Sequence, residues 1–342
     1  MKVLITGGAG FIGSNLTRNL VSKGNDVIVV DNLITGDRRN LDRFDGLKNF
    51  RFENLDISSL DFVDRFCDST NRFDEVFHLA CPTGVPNIEK LGEEMVLACS
   101  AGTHNVLKAA LASNARLVFT SSSEVYGSPE IFPQDESYTG NVHPQGWRAS
   151  YEEGKRFSET LLSLYVKKYS LNASTVRLFN VYGPKMHLSD YRVIPRFINS
   201  ALANRPLTVH GEGDQKRTMC FVEDLIDGLL LVSKKGTAGG IYNLGSDKEI
   251  SILDLAKKVI DRAGSKSGIE FVERASHDPQ SRKPNLKKIT SLGWLPKVEL
   301  DDGVNKTITD FMNRRVEIRL VNEEGFDSKI ELAKTNLVEE NL

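Results

Sequence analysis

The sequence predicts a doubly wound α/β fold: a parallel β-sheet covered by helices on both faces, followed by a smaller C-terminal lobe. Three observations predict it. Short apolar runs alternate with longer helical patterns through the first half, the first run leads straight into a glycine-rich turn, and the alternation weakens after residue 180. With 342 residues, 40% hydrophobic and 26% charged, the chain has enough material for one large or two modest cores.

The expected strands are Val3–Thr6, Val27–Asp31, Phe50–Asn54, Val76–Ala80 and Leu117–Ser121, with Ala173–Phe179 as a further buried strand. A helix carrying Tyr151 precedes that last strand and runs to about Tyr169. Beyond Asn180 the chain is punctuated by Pro184, Pro195 and Pro206. Helices are expected there around 193–204, 222–234 and 251–263, alternating with short strands such as Leu207–Val209. The division that follows is 1–180 for the large domain, 181–312 for the smaller lobe and 313–342 for a tail. No core pattern is legible in that tail, and part of it is expected to be mobile.

A formal net charge of −2 gives no reason to expect nucleic acid or an anionic membrane as partner, so small molecules are the expected ligands. No stretch approaches the roughly 20 apolar residues of a membrane helix. Met1 to Gly7 enters a strand at once, without the pattern of a signal peptide, and the expected location is cytoplasmic. Cys67, Cys81, Cys99 and Cys220 are scattered without metal-ligand spacing, so free thiols are expected and no metal site.

Thr6-Gly7-Gly8-Ala9-Gly10-Phe11-Ile12-Gly13 lies between the first strand and the first helix. Gly7 permits the tight turn, Gly10 lets the backbone approach a pyrophosphate, and Gly13 lets the helix pack closely on the strand, with Phe11 and Ile12 opening that helix beside the ligand. The second strand ends in Asp31, followed by Asn32. That aspartate is placed to accept hydrogen bonds from an adenosine ribose, the mark of a Rossmann-type dinucleotide site. Its charge repels a 2′-phosphate and favours NAD over NADP, a preference that the nearby Arg38 and Arg39 temper. Asp56 and Ile57 are expected at the adenine, and Leu79 and Ala80 under the dinucleotide backbone.

Thr120-Ser121-Ser122-Ser123-Glu124 closes the fifth strand at its carboxyl end, where such sheets bind ligands. Tyr151 and Lys155 follow, four residues apart and so on one helix face. A free tyrosine has a pKa near 10, and a neighbouring ammonium favours its ionised form. The pair alone is also what a solvated helix face produces. The glycine loop and the serine-rich strand end give it meaning.

Together these motifs resemble the extended short-chain dehydrogenase/reductase family, the nucleotide-sugar epimerases, dehydratases and decarboxylases, over roughly residues 1–312. The resemblance implies that Tyr151 is the base, that Lys155 lowers its pKa and holds the nicotinamide ribose, and that Ser122 bonds the reacting sugar hydroxyl. Four segments, Ser123 to Gly127, Arg148 to Arg156, Gly183 to His187 and Asp278 to Pro284, resemble the UDP-glucuronate decarboxylase branch. There Ser123, Glu124 and Arg282 are implied in decarboxylation. The dehydratase branch has an aspartate where this chain has Ser123, which lowers dehydration in rank. Asn180 and Arg217 match residues that bind the diphosphate, and Arg196 is a further candidate. A homodimer joined through the helices near 94–112 and 151–169 is implied as well.

Two departures stand beside the expected sugar pocket. The stretch 81–91 lacks that branch's tyrosine, with Lys90 near its place, and Cys99 replaces the asparagine most of the family has. The competing expectations are therefore a 4-epimerase, or a carbon-4 oxidoreductase or dehydratase on another nucleotide sugar. A non-catalytic nucleotide sensor is the reading from a different class, and the Tyr/Lys pair argues against it.

Overall fold

The computed structural model describes residues 1–68, 71–273 and 282–323. Among these, seven parallel strands form one sheet in the order Ile241–Leu244, Ala173–Leu178, Arg116–Ser122, Glu75–His78, Lys2–Thr6, Asp26–Asp31, Phe50–Asn54. The doubly wound sheet expected from the sequence is present. The fourth strand stops at His78, two residues before the expected end, so Leu79 and Ala80 leave the sheet as a loop. Ile241–Leu244 is a seventh strand that the sequence reading did not place, and it pairs with Ala173–Leu178.

Alternate residues of each strand feed opposite cores. Val3, Ile5, Val27, Val29 and Phe77 pack on one side, and Leu4, Ile28, Val30, Val76 and Leu117 on the other. Burial on both faces is why the strands read as continuous apolar runs rather than as alternating ones. Helices Phe11–Ser22 and Val222–Lys235 pack together on the first face, and Leu60–Phe66, Thr103–Ser113 and Ala149–Tyr169 cover the second.

The smaller lobe is built from short two-stranded pairings. Val181–Tyr182 runs beside Cys220–Phe221, Lys216–Thr218 against Glu249–Ser251, and Leu207–His210 beside Ile269–Val272. Helices Val193–Leu202, Ile252–Arg262 and Leu300–Glu323 support them. The helix Val222–Lys235 and the strand Ile241–Leu244 return to the large sheet, so the chain does not leave that sheet at residue 180.

Leu300–Glu323 continues as helix past Asn313, where the tail was expected to begin. Its first half is amphipathic: Val304, Ile308 and Phe311 are buried along one face. Truncating a buried phenylalanine such as Phe311 costs about 3–5 kcal/mol, enough to hold the helix in place. Residues 324–342, and the Asp278 to Ser281 part of the fourth motif, lie outside the described residues. No described helix is long and apolar enough to cross a membrane, and the described residues contain no His/Cys/Asp/Glu group able to hold a metal.

Candidate active site

The sheet order reverses between Lys2–Thr6 and Glu75–His78, and the cleft opens at the carboxyl ends of these strands. Its volume is ≈ 1500 Å³. Single-ligand sites usually measure roughly 300–1,000 Å³, so there is room for two ligands side by side. Gly7, Gly10, Phe11, Ile12, Gly13, Asp31, Asn32, Asp56, Ile57, Leu79 and Ala80 line it from the first four strand ends. Ser122, Ser123, Glu124, Tyr151 and Lys155 line it from the fifth strand end and the segment and helix that follow, Asn180 from the end of the large domain, and Arg196, Arg217 and Arg282 from the smaller lobe. Apart from Lys90, the residues singled out for cofactor, catalysis or substrate thus border one space.

The glycine loop is shaped for a dinucleotide. Gly7 has φ +74°, and a Cβ there would sit 2.7 Å from the backbone nitrogen of Ala80. A Cβ on Gly13 would overlap the carbonyl oxygen of Gly7. Gly10 stands at the N-cap of Phe11–Ser22 with no side chain capping the helix and no acid in its first turn. The free N–H groups and the dipole of that helix end therefore face the cleft, ready for an anion. Asp31 is buried, its carboxylate accepting the N–H of Ala9 and of Leu33 at 2.9 Å each. Burial raises its pKa, against the lowering effect of those two N–H groups. Asn32 donates to Asp56 at 2.7 Å, and Ser58 donates to the same carboxylate through both its N–H and its hydroxyl. Arg38 is engaged by Asp42 and Asp45, and Arg39 by Asp37, so both arginines have carboxylate partners on their own side of the loop. Loop, helix end and aspartate fit NAD.

The Tyr151 and Lys155 side chains share the inner face of Ala149–Tyr169. Lys155 is 3% exposed, donates to the carbonyl of Thr120 at 3.0 Å, and lies 6.0 Å from the centre of the Tyr151 ring. Burial works against its charge, but the acidic groups around it, Cys81 foremost, hold its pKa above the usual value. Burial pushes the Tyr151 phenol up to about 12; Lys155 and a hydrogen bond with Ser122 pull it down without offsetting that push. Lys155 thus acts in the expected direction, yet alone it does not bring the phenol into the neutral range. The strand end is braced from below: Ser121 donates to Glu159 at 2.6 Å, and Glu159 pairs with Arg177 at 2.7 Å.

Glu124 is gripped from both sides. One oxygen pairs with Arg282 and the other with Arg148, and Arg148 also reaches Glu152 at 3.0 Å. Burial alone would raise the Glu124 pKa, but the two guanidinium groups hold it below the usual carboxylate value. Arg148 was quoted in a sequence motif without a role of its own. Its signal was its place four residues before Glu152, the spacing of a helical ion pair. Arg314 was missed altogether because it fell in the expected tail; it lines the cleft, paired with Asp310 at 2.5 Å.

The stretch 81–91 does not put Lys90 in the sugar pocket. Lys90 is exposed at the end of the helix Val85–Lys90, outside the cleft, which is walled instead by residues 81 to 88. The expectation that Lys90 stands in for the missing tyrosine is therefore corrected: the short helix turns it outward. Cys99 lies beside Cys81, with the two sulfurs 3.5 Å apart.

The family model described as the NAD dependent epimerase/dehydratase family matches residues 3–245. The chain is 41% identical to UDP-glucuronic acid decarboxylase 1 of Xenopus tropicalis over 311 residues, 91% of this chain and 72% of the relative. Among solved structures, a UDP-glucose 4-epimerase from Thermotoga maritima with UDP-glucose superposes with a TM-score of 0.84 at 27% identity, covering 92% of this chain and 99% of that one. A dTDP-glucose 4,6-dehydratase from Streptomyces venezuelae, solved with NAD and TYD, superposes with a TM-score of 0.81 at 29% identity, covering 92% and 98%.

Proposed function

We propose that this chain, which belongs to the NAD-dependent epimerase/dehydratase family, converts UDP-glucuronate to UDP-xylose and CO2 with NAD as its cofactor. The observation that carries this reading is the Arg282–Glu124 ion pair, set beside Ser122 and Tyr151 in a chain 41% identical to a decarboxylase. Bound NAD+ would supply a hydride acceptor for carbon 4 of the sugar and a hydride donor at the end of the cycle.

Tyr151 takes the proton from the hydroxyl on carbon 4, and Lys155 favours the phenolate that does so. The resulting ketone lies β to the carboxylate on carbon 5. Carbon dioxide then departs with its bonding electrons drawn towards the carbon 4 oxygen, where Ser122 and Tyr151 donate hydrogen bonds to the developing charge. Ser123 and Glu124 serve the decarboxylation step, and Arg282 fixes Glu124 as an anion while presenting its fork to the substrate's acidic groups. Asn180, Arg217 and Arg196 hold the diphosphate. In this assignment residues 1–180 bind cofactor and carry the Tyr/Lys pair, and 181–312 mainly bind the nucleotide sugar.

A cytoplasmic homodimer completes the reading. Val96 on Gly92–Leu97, and Phe157 and Leu164 on Ala149–Tyr169, are 44%, 49% and 54% exposed on two helices that pack together, an apolar face suited to a second copy. The deciding experiment is incubation of the protein with UDP-glucuronate and NAD+. UDP-xylose and released CO2 are expected. A UDP-hexuronate epimer, an unreduced 4-keto sugar as the end product, or no turnover refutes the assignment.

A further inference from the structure

The Cys81 and Cys99 thiols take no part in the steps above, yet their sulfurs lie 3.5 Å apart. Cys81 lines the cleft directly after Leu79 and Ala80. Cys99 is 2% exposed and sits in a π-helical turn, Ala98–Gly102, between Gly92–Leu97 and Thr103–Ser113. Such turns recur at functional sites. Gly154 admits Cys99 to the catalytic helix: a Cβ on Gly154 would sit 3.2 Å from the Cys99 Cβ and 3.3 Å from its Sγ. The two thiols are therefore wedged between the wall under the cofactor and the helix that carries Tyr151 and Lys155. The Cys81 hydrogen bond, reinforced by Lys155, holds the Cys99 thiol down to about 6 against the effect of burial, and the same hydrogen bond pushes Cys81 up.

We propose that Cys81 and Cys99 form a peroxide-sensitive modification site, and that a disulfide between them reversibly closes down the active site. The sulfur that faces the cleft, Cys81, attacks a peroxide oxygen; the O–O bond breaks, the leaving hydroxide takes the Cys81 proton and departs as water, and a sulfenic acid remains. Cys99 then attacks that sulfur, the S–O bond breaks and a second water leaves. Two thiols and one hydrogen peroxide give one disulfide and two waters, with two electrons passing from sulfur to oxygen. The sulfurs must close to about 2.05 Å. That draws in the residue next to Ala80, whose nitrogen lies directly against Gly7, and pulls on the turn packed against Gly154.

The test treats the NAD-loaded protein with hydrogen peroxide and follows intact mass, non-reducing peptide maps, NAD+ affinity by calorimetry and turnover of UDP-glucuronate. The expected result is a loss of two hydrogens in mass, a Cys81–Cys99 crosslinked peptide, and a drop of about tenfold or more in affinity or turnover that dithiothreitol reverses. Cys81→Ser and, separately, Cys99→Ala give no crosslink and keep their own untreated activity after peroxide. Oxygen added without a crosslink, a crosslink to Cys67 or Cys220, or a crosslinked protein with unchanged affinity and turnover overturns the proposal. Mass and NAD+ affinity do not depend on the sugar, so failure here is distinguishable from failure of the substrate assignment.

Discussion

Replacing Lys155 with methionine removes the ammonium while keeping nearly the same length and volume. In the structure that ammonium sits 6.0 Å from the Tyr151 ring centre and pulls down a phenol that burial has pushed up to about 12. An opposite charge within about 4–6 Å shifts a pKa by roughly 1–3 units, and Lys155 is the leading influence that lowers this one, so a share of about 1–2 units is taken. At 1.36 kcal/mol per unit this amounts to about 1.4–3 kcal/mol of lost phenolate stabilisation. Turnover at neutral pH should fall about 10–100-fold if the phenolate performs the rate-limiting proton removal. Because the base must be ionised, activity rises with pH through the Tyr151 pKa, and the variant's rise should move to higher pH by the same 1–2 units. The assay is kcat against pH for both proteins, with thermal unfolding as control. Glu159 keeps its ion pair with Arg177, and the Thr120 carbonyl loses a donor at a cost of about 1–3 kcal/mol, so the variant should remain folded with a lowered Tm. A folded Lys155→Met protein with unchanged kcat and an unshifted pH profile would refute the proton-transfer role.

Other changes follow from the same geometry. Gly13→Ala forces a Cβ onto the Gly7 carbonyl, so NAD+ affinity measured by calorimetry should fall by about tenfold or more, with a lowered Tm. Arg282→Leu leaves Glu124 with Arg148 as its remaining guanidinium partner; denaturant unfolding should show a loss of up to about 3 kcal/mol, and turnover should fall further than stability explains. His78 is fully buried between Thr6 and Thr103, and burial chiefly, with Lys155, lowers its pKa from 6.5 to about 3. The unfolded chain therefore binds the extra proton first, and stability is lost as pH falls from 6.5 towards 3, by up to about 5 kcal/mol. His78→Gln should flatten that part of the stability profile relative to wild type, and an identical slope in the two proteins would rule out His78 as its source. Phe157→Asp should shift the protein from dimer to monomer in sedimentation; an unchanged mass would show that the dimer contact lies elsewhere.

The large sheet was legible because its information is local. Each strand is a short run such as Val27 to Val30, bounded by turn residues, and burial on both faces makes nearly every position apolar. The seventh strand was not legible, because Ile241–Leu244 lies beyond the regular alternation of the first half and acquires its role by docking beside Ala173–Leu178. The last helix was missed for a related reason. Val304, Ile308 and Phe311 form a weak stripe in a strongly charged segment, and only the surfaces they meet make it a core. Within the cleft, Arg148 was overlooked because its partners Glu124 and Arg282 come from two other segments of the chain. Lys90 was misplaced because its distance along the sequence does not reveal which way a short helix turns it.

By itself the sequence determined the fold class, the glycine loop with Asp31, and the Tyr151/Lys155 spacing. Each of these is set by backbone conformation or by helical and strand period, which neighbouring residues specify. Tertiary structure alone decided how charge and burial balance in the cleft. It placed Glu124 between two arginines, kept the Tyr151 phenol high despite Lys155, and brought Cys81 and Cys99 within 3.5 Å. Those outcomes depend on desolvation and on distances between groups far apart in the chain, quantities that only packing fixes.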